Sequence, residues 1–391
     1  MLEYSISLKP AMNKLFDERG YKASLVKKLN FKGHSTLSKF ANNDLKEIDD
    51  FKNLVLVASE MFPDKAEDYI IEYCEALSHK SKDLKCALEY ASSNQLKKLK
   101  SYLIEKTPRS THQEVKDAAK LYEIYSDIKK DSFVNSLDKL SKVNSENVDN
   151  QIFSKIVTAH VYHQQGMYTA MSEMIRIADV LMNDKDVTPY LKDSYKSRLS
   201  SLKVSYKLAQ GNVEEIIQSG LDALKEDIDS RFNIWILMNM GNAAMLKSHE
   251  ESMKYLQMAK FEAESRNDLE KLREIERSIT FSNCYWKKKV NPSTINGVEI
   301  TDLHNKAFAY ISNDQTEEAL EILNSIDVEK LNSDRKSFYY FYKGMATRSK
   351  EDFYKSIQFF NEIGDKHYRQ LSINELRKLG ENEVLLQTLS S

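Results

Sequence analysis

Residues 23–42 read Ala-Ser-Leu-Val-Lys-Lys-Leu-Asn-Phe-Lys-Gly-His-Ser-Thr-Leu-Ser-Lys-Phe-Ala-Asn. The polar members of this run suit nucleic-acid chemistry. Ser35, Thr36, Ser38, Lys39 and Asn42 fall on one side of a helical wheel, with His34 just ahead of them. Short polar and basic side chains on such a face can reach base edges or phosphates in a major groove. Lys27, Lys28 and Lys32 precede that face and suit phosphate contact. Two apolar faces would position them: Leu25, Val26 and Leu29, then Leu37, Phe40 and Ala41, with Gly33 in the gap and Ser35 or His34 as helix cap. Helix, short glycine turn and helix is the helix-turn-helix pattern. Residues 1–46 hold nine Lys/Arg against four Asp/Glu, whereas the whole chain is −2. The local charge favours DNA over the alternative, a basic helical cap on a repeat array.

Other chemistries lack their residues. His160 and His163 lie three apart on a helical segment, yet no carboxylate completes a zinc-protease spacing around them. No phosphate-binding glycine loop, dinucleotide fingerprint or nucleophile elbow is present. The expectation is a non-enzyme that uses no metal or other cofactor. Cys74, Cys86 and Cys284 are scattered thiols without paired spacing, which points to a reducing cytoplasm. No apolar run approaches the roughly 18 residues of a membrane span, and Met1-Leu2-Glu3-Tyr4 lacks a signal-peptide layout.

The elements behind these residues are helical. Gly is 10 and Pro 5 of 391, against roughly 27 and 20 at average usage, so connections are short and helices long. No alternating β-branched run reads as a strand. Amphipathic segments cover Leu54–Met61, Ala66–Leu77 and Asp83–Ala91. Asp64 behind Pro63 reads as a helix start. So does Thr188-Pro189, followed by Tyr195, Leu199, Leu202 and Tyr206 at helical spacing up to a stop at Gly211. Stretches around Gln165-Gly166, Gln210-Gly211, Asn313-Asp314 and Gly344 to Ile357 echo one another. Each is a helix end, a tight turn and a helix opening. That is a degenerate tetratricopeptide-like hairpin repeating about every 30–45 residues. The fold class expected is all-α, an N-terminal helix-turn-helix followed by a right-handed superhelix with a concave inner surface. The expected domains are 1–48 for the helix-turn-helix, 49–288 for the N-terminal repeats and 289–391 for the C-terminal repeats. Lys287–Val298, with Pro292 and Gly297, is the expected irregular linker between the two halves of the array.

An ordered series of short segments carries a resemblance. It comprises Ala87-Leu88-Glu89-Tyr90-Ala91, Phe153-Ser154-Lys155, Tyr285-Trp286-Lys287-Lys288, Tyr339-Tyr340-Phe341-Tyr342-Lys343-Gly344, Phe353-Tyr354-Lys355-Ser356-Ile357, Gly364-Asp365-Lys366 and Leu379-Gly380-Glu381-Asn382. From about residue 20 onward the chain resembles the arbitrium receptors, the AimR family of temperate phages of bacilli. The resemblance implies a dimeric DNA-binding regulator of a phage gene that favours lysis. A short peptide, about a hexapeptide, binds the concave surface, stops activation, and lysogeny follows. It further implies that Arg231 grips a peptide carboxylate, Asn242 bonds the extended peptide backbone, and Asp365 pairs with a basic peptide side chain. Ser205, Asn305 and Asp334 stand at further peptide-binding positions where relatives carry other polar residues, which leaves the peptide sequence open. The C-terminal helix, through Leu385, Leu386 and Leu389, would contribute to the homodimer. The rival reading is a peptide-regulated adaptor that acts on a protein partner without binding DNA.

Overall fold

The computed structural model describes residues 7–29, 35–42, 51–78, 82–225 and 230–390, apart from the side chains of Thr36, Ser230 and Arg231. Among the described residues every regular element is helical. The N-terminal part holds α1 (Leu8–Phe16), α2 (Tyr21–Lys28), α3 (Ser35–Ala41), α4 (Phe51–Met61), α5 (Ala66–Ala76), α6 (Asp83–Ser93), α7 (Lys97–Lys106), α8 (Gln113–Asp127) and α9 (Phe133–Ser141). The middle holds α10 (Val148–Gln164), α11 (Tyr168–Leu181) and α12 (Pro189–Gln210). Then come α13 (Val213–Lys225), α14 (Ser230–Ala244), α15 (His249–Ser265), α16 (Leu269–Tyr285) and α17 (Ile300–Ser312). The chain ends with α18 (Thr316–Asn324), α19 (Ser333–Thr347), α20 (Lys350–Ile363), α21 (Lys366–Lys378) and α22 (Glu383–Ser390).

Local chemistry sets many of the boundaries. Ser248 and Ser349 cap α15 and α20 by accepting from the amides of Glu251 and Asp352, the Ser-x-x-acid signature of a helix start. Asp268, Asn332 and Asp365 cap α16, α19 and α21 in the same way. Asp64 lies in a 3-10 turn, Pro63–Lys65, and α5 follows directly. Pro189 opens α12, and Gly211 leaves it with a left-handed φ of +81°, where a Cβ would be strained.

The chain divides into two compact units, residues 1–157 with 180–195, and residues 158–179 with 196–391. This differs from the expected boundary near residue 288. The Lys287–Val298 stretch is an internal connection of the second unit. Its Pro292–Thr294 turn is capped by Asn291. Asn313 Nδ2 donates to the Val290 carbonyl at 2.8 Å, and Gly297 lies so close to Asp302 that a Cβ would overlap it.

In the first unit a buried charge cluster joins three helices. Lys85 of α6 donates to Asp149 of α10 at 2.9 Å and to Asn147 at 3.1 Å, and lies 3.4 Å from Glu114 of α8. Asp149 also accepts from the amide and hydroxyl of Thr188, at 2.9 and 2.8 Å, which fixes the approach to α12. Close by, Glu89 accepts from Tyr122 at 2.6 Å and from Ser194. Tyr122, Phe153 and Tyr195 stack beside it.

In the second unit the hairpin stack returns on itself. The α10–α11 turn at Gly166 meets Ile363, where an added Cβ would stand 2.8 Å from the Ile363 Cβ. The α12–α13 turn at Gly211 lies against the backbone of Lys366 and His367. His367 Nε2 donates to the Asn242 carbonyl at 3.1 Å. A solenoid whose repeats touch only their neighbours has no such contacts. At the C-terminus, α22 turns Leu386 into the unit's own core, with Leu389 packed against it. This corrects the expectation that Leu386 faces a partner. Only Leu385 of the three is exposed, beside Val384. An eight-residue helix laid on a core has one apolar stripe to spend there, and Leu386 and Leu389 occupy it.

Asp149→Ala should lower the stability of the first unit by about 3–5 kcal/mol, because it strands a buried ammonium. Urea denaturation followed by circular dichroism tests this. Replacing both partners, Lys85→Met with Asp149→Leu, should recover much of the loss. No recovery in the double variant would sink the account.

Candidate functional site

The head, α1–α3, is held by Leu8, Ala11, Met12, Leu25, Val26, Leu37, Phe40 and Ala41, all buried. Asn13 ties α1 to the end of α3 by donating to the Ala41 carbonyl at 2.9 Å. The face opposite this core carries Ser35, Lys39 and Asn42 in solvent. Ser38 is half-buried and accepts from Lys22 Nζ at 3.0 Å. Lys28 is exposed and pairs with Glu60 at 2.5 Å, an open ion pair of the kind that exchanges at little cost. Lys32 and His34 lie outside the described residues, as does the side chain of Thr36. The face therefore presents hydroxyl, amide and ammonium groups free of the core.

The second unit carries a different surface, in which carboxylates and aromatic rings share one locality. Asp365 caps α21 by accepting the Tyr368 amide at 2.8 Å and is only 4% exposed. Burial raises its carboxyl to about 7, and the charge of Asp334 adds to the rise, while backbone bonds and Arg369 oppose it. Asp334, in the first turn of α19, keeps 32% of its side chain open, with Arg335 at 3.9 Å. Burial still raises its carboxyl. Asp334 thus forms a part-open wall beside the buried Asp365. Burial first, then the charges of Asp365 and Asp334, raises the phenols of Tyr168 and Tyr368. Tyr368 packs on Phe338 at 5.2 Å. Tyr168 meets His163 at 6.1 Å, and His163 meets Trp235 at 5.9 Å. Burial, then the Lys271 ammonium, brings His163 down to about 4, so it is neutral near pH 7. Lys271 Nζ stands 4.1 Å over the Trp235 ring and pairs with Glu274. Such a wall can seat a cation against carboxylates and rings.

The expected peptide contacts are placed unevenly. Asp365 and Asp334 share the acidic end. Asn242 is half-buried, and its carbonyl meets His367, two residues beyond Asp365. The side chain of Arg231 lies outside the described residues; its backbone belongs to the first turn of α14. Two other positions are spent internally, and this corrects the expectation that they line the surface. Ser205 Oγ accepts from Trp235 Nε1 at 2.6 Å and Asn239 Nδ2 at 2.9 Å, and donates to the Ser201 carbonyl at 3.1 Å. Asn305 donates to the Arg277 carbonyl at 3.0 Å and is buried. Both sit inside helix–helix seams, where an unmade hydrogen bond is costly. Sequence reading missed Tyr168, Trp235 and Tyr368 as wall residues. The His160/His163 spacing signalled a face, but that face meets an indole and a phenol. Among the described residues no cluster could hold a metal ion, and no helix is long and apolar enough to cross a membrane.

The raised carboxyl of Asp365 has a stability consequence. Its contribution is fully present below the unfolded value near 4 and is lost as pH rises through about 7. The buried histidines act oppositely. His163 and His367 stand at about 4 and His304 at about 3, so their contribution to stability is lost as pH falls through the unfolded value near 6.5. The Asp365 carboxyl therefore adds, mainly between about pH 4.5 and 7, a component in which stability falls with rising pH by up to about 1.4 kcal/mol per pH unit, set against the opposite slope of the histidines. Asp365→Asn keeps the cap and should lack that component, so its stability gains on wild type as pH rises through this range. Equal slopes in the two proteins, measured by calorimetric scans, would contradict the assignment.

Residues 66–378 match the family described as AimR transcriptional regulator-like. The chain is 25% identical to the AimR transcriptional regulator of Bacillus phage SPbeta, over 92% of each chain. It is likewise 25% identical to that of Bacillus phage phi3T, over 94% of this chain and 96% of the relative. The solved structure of ligand-bound phAimR superposes with a TM-score of 0.76 at 23% identity, covering 85% of this chain and 98% of that one. The likeness to that structure shows the fold. The relatives are named as transcriptional regulators rather than enzymes. With the match spanning most of its length, the chain belongs to the AimR transcriptional regulator-like family.

Proposed function

We propose that this chain is a peptide-responsive, DNA-binding transcriptional regulator that acts as a homodimer in the host cytoplasm and sets a phage's choice between lysis and lysogeny. The observation that carries the peptide reading is the wall in which Asp334 and Asp365 stand among Tyr168, Tyr368 and Phe338. A short linear peptide, about a hexapeptide, enters there. Its basic side chain meets the two carboxylates, Asn242 bonds its extended backbone, and the Arg231 guanidinium takes a carboxylate as a two-pronged partner. A single pole would leave an extended ligand free to slide; opposite charges at its two ends hold its register. Ser205 acts one step removed, by holding Trp235 and Asn239 in place. The exposed Ser35, Lys39 and Asn42 face of α3 meets the operator, and Lys28 and Lys32 contact phosphates. Peptide favours the conformation that binds it better and thereby switches activation off. Family membership and the ligand-bound relative support this reading.

Arg231→Ala should weaken peptide binding tenfold or more, a loss of about 1.4 kcal/mol or greater, with DNA binding of the peptide-free protein unchanged. Isothermal calorimetry and gel shifts on the same preparations decide it; unaltered peptide affinity would remove Arg231 from the site. Lys39→Ala should weaken operator binding and reduce the slope of log affinity against log salt by about one. A wild-type protein without salt-dependent affinity for the phage's own upstream DNA would sink the DNA reading and leave the protein-adaptor alternative.

A further inference from the structure

The C-terminal helix is tied to the rest of the second unit at three places. Leu386 lies in the core, with Leu389 half-buried against it. Arg377 makes a two-pronged pair with Glu383 at the helix start, both bonds 3.0 Å and exposed. At the other end, Arg369 of α21 donates through Nη2 to the Ser390 carbonyl at 2.5 Å and through Nη1 to Asn361 Oδ1 at 2.6 Å. Arg369 is only 6% exposed. Its Nε is buried and donates to no acceptor among the described residues. A buried guanidinium that bonds only neutral oxygens and leaves one N–H unused is poorly satisfied.

Asp365 is the capping residue of the helix that carries Arg369, four residues earlier. Positions four apart share a helix face. Burial raises the Asp365 carboxyl toward neutral pH, so the counter-charge it offers Arg369 changes with pH, while the bonds Arg369 makes go to Asn361 and Ser390. The groups that bear on Asp365 are named by element. Asp334 acts from α19, Tyr168 from α11, and Arg369, His367 and Tyr368 from α21. Arg335 stands beside Asp334, and α20 offers the uncharged Asn361.

We propose that Arg369 is a positioning residue that converts the charge state of Asp365 into the seating of the C-terminal helix. With Asp365 protonated, the guanidinium holds the Ser390 carbonyl and α22 lies closed on the core. Once Asp365 ionises, the carboxylate competes for the same guanidinium. A charge-assisted bond is shorter and roughly twice as strong as one to a neutral carbonyl, and turning the planar guanidinium to bring its idle Nε onto the carboxylate draws Nη2 away from Ser390. The last turn of α22 then loses its anchor, while Arg377 and Glu383 keep the first turn in place. The seating of α22 also sets how its exposed Val384 and Leu385 are presented to solvent. A bound cation beside Asp365 favours the ionised form, so peptide and high pH push α22 in the same direction. The peptide half of this statement rests on the function proposed above; the pH half does not.

The test uses the full chain and amide protection factors for residues 383–390, corrected for intrinsic exchange, at about pH 6 and 8. Wild type should lose protection in the last turn of α22 by about tenfold at the higher pH. Asp365→Asn, which keeps the cap, should show no such change. Arg369→Lys keeps the charge but cannot span Asn361 and Ser390 together; it should be weakly protected at both pH values. Arg377→Gln is the structural control. It should lose protection at the start of α22 yet retain the pH response at its end. Wild-type protection that is the same at both pH values, or a pH response that survives in Arg369→Lys, overturns the proposal. A synthetic hexapeptide with one basic residue is then added at about pH 6. Binding that leaves residues 383–390 unchanged overturns the ligand coupling while the peptide reading stands. No binding of any such peptide removes the peptide reading, and the pH comparison still decides the role of Arg369.

Discussion

Close approach of distant turns is the constraint on which the second unit depends. Gly166 touches Ile363, and Gly211 touches the backbone at Lys366 and His367. At both glycines φ is left-handed, so the turn and the contact require the same residue. A helical hairpin cannot bury its apolar face alone. Stacking solves that for neighbours, and the return contacts then bring the beginning and end of the unit together. The 363–367 turn is thereby held by α10–α11, α12–α13 and α14 at once. Asp365, in the middle of that turn, is buried for this reason and not because of its own helix.

The electrostatics follow from the same enclosure. A carboxylate that caps a helix is ordinarily held ionised by backbone donors. Here desolvation and the neighbouring Asp334 outweigh those donors and bring Asp365 to about 7. Arg335 stands 3.9 Å from Asp334, while the guanidinium of Arg369, on the helix that Asp365 caps, is engaged elsewhere. A ligand cation would relieve the acid pair. The first unit shows the contrasting solution. Its buried Lys85 is fully answered by Asp149, Asn147 and Glu114, an arrangement that holds helices and leaves nothing for a partner.

Much of the architecture was legible because it is local. Pro189 and Gly211 bracket α12, and the segments read as Leu54–Met61 and Ala66–Leu77 fall within a residue or a few of α4 and α5. The outward face of α3 was legible too, since Leu37, Phe40 and Ala41 must point inward and Ser35, Lys39 and Asn42 then cannot. The two compact units divide elsewhere than at residue 288. Pro292 and Gly297 read as a break, but that stretch is pinned within one unit by Asn313 and Asp302. Irregular backbone and a domain boundary leave the same composition in a sequence.

Determined by the residues alone were the all-helical class, the hairpin repeat and the polar face of the head, because helix periodicity, caps and turns act over a few residues. Tertiary structure alone decided which polar side chains remain available. Ser205, Asn305, Asn242 and Asp365 are alike as short polar residues on or beside helices, yet two are consumed in seams and one is driven toward neutrality. Trp235, Arg277, Asp334 and His367 make that difference, and they lie up to 125 residues away in the chain. Hydrogen bonding and desolvation depend on what surrounds a group in space, and periodicity carries no record of it.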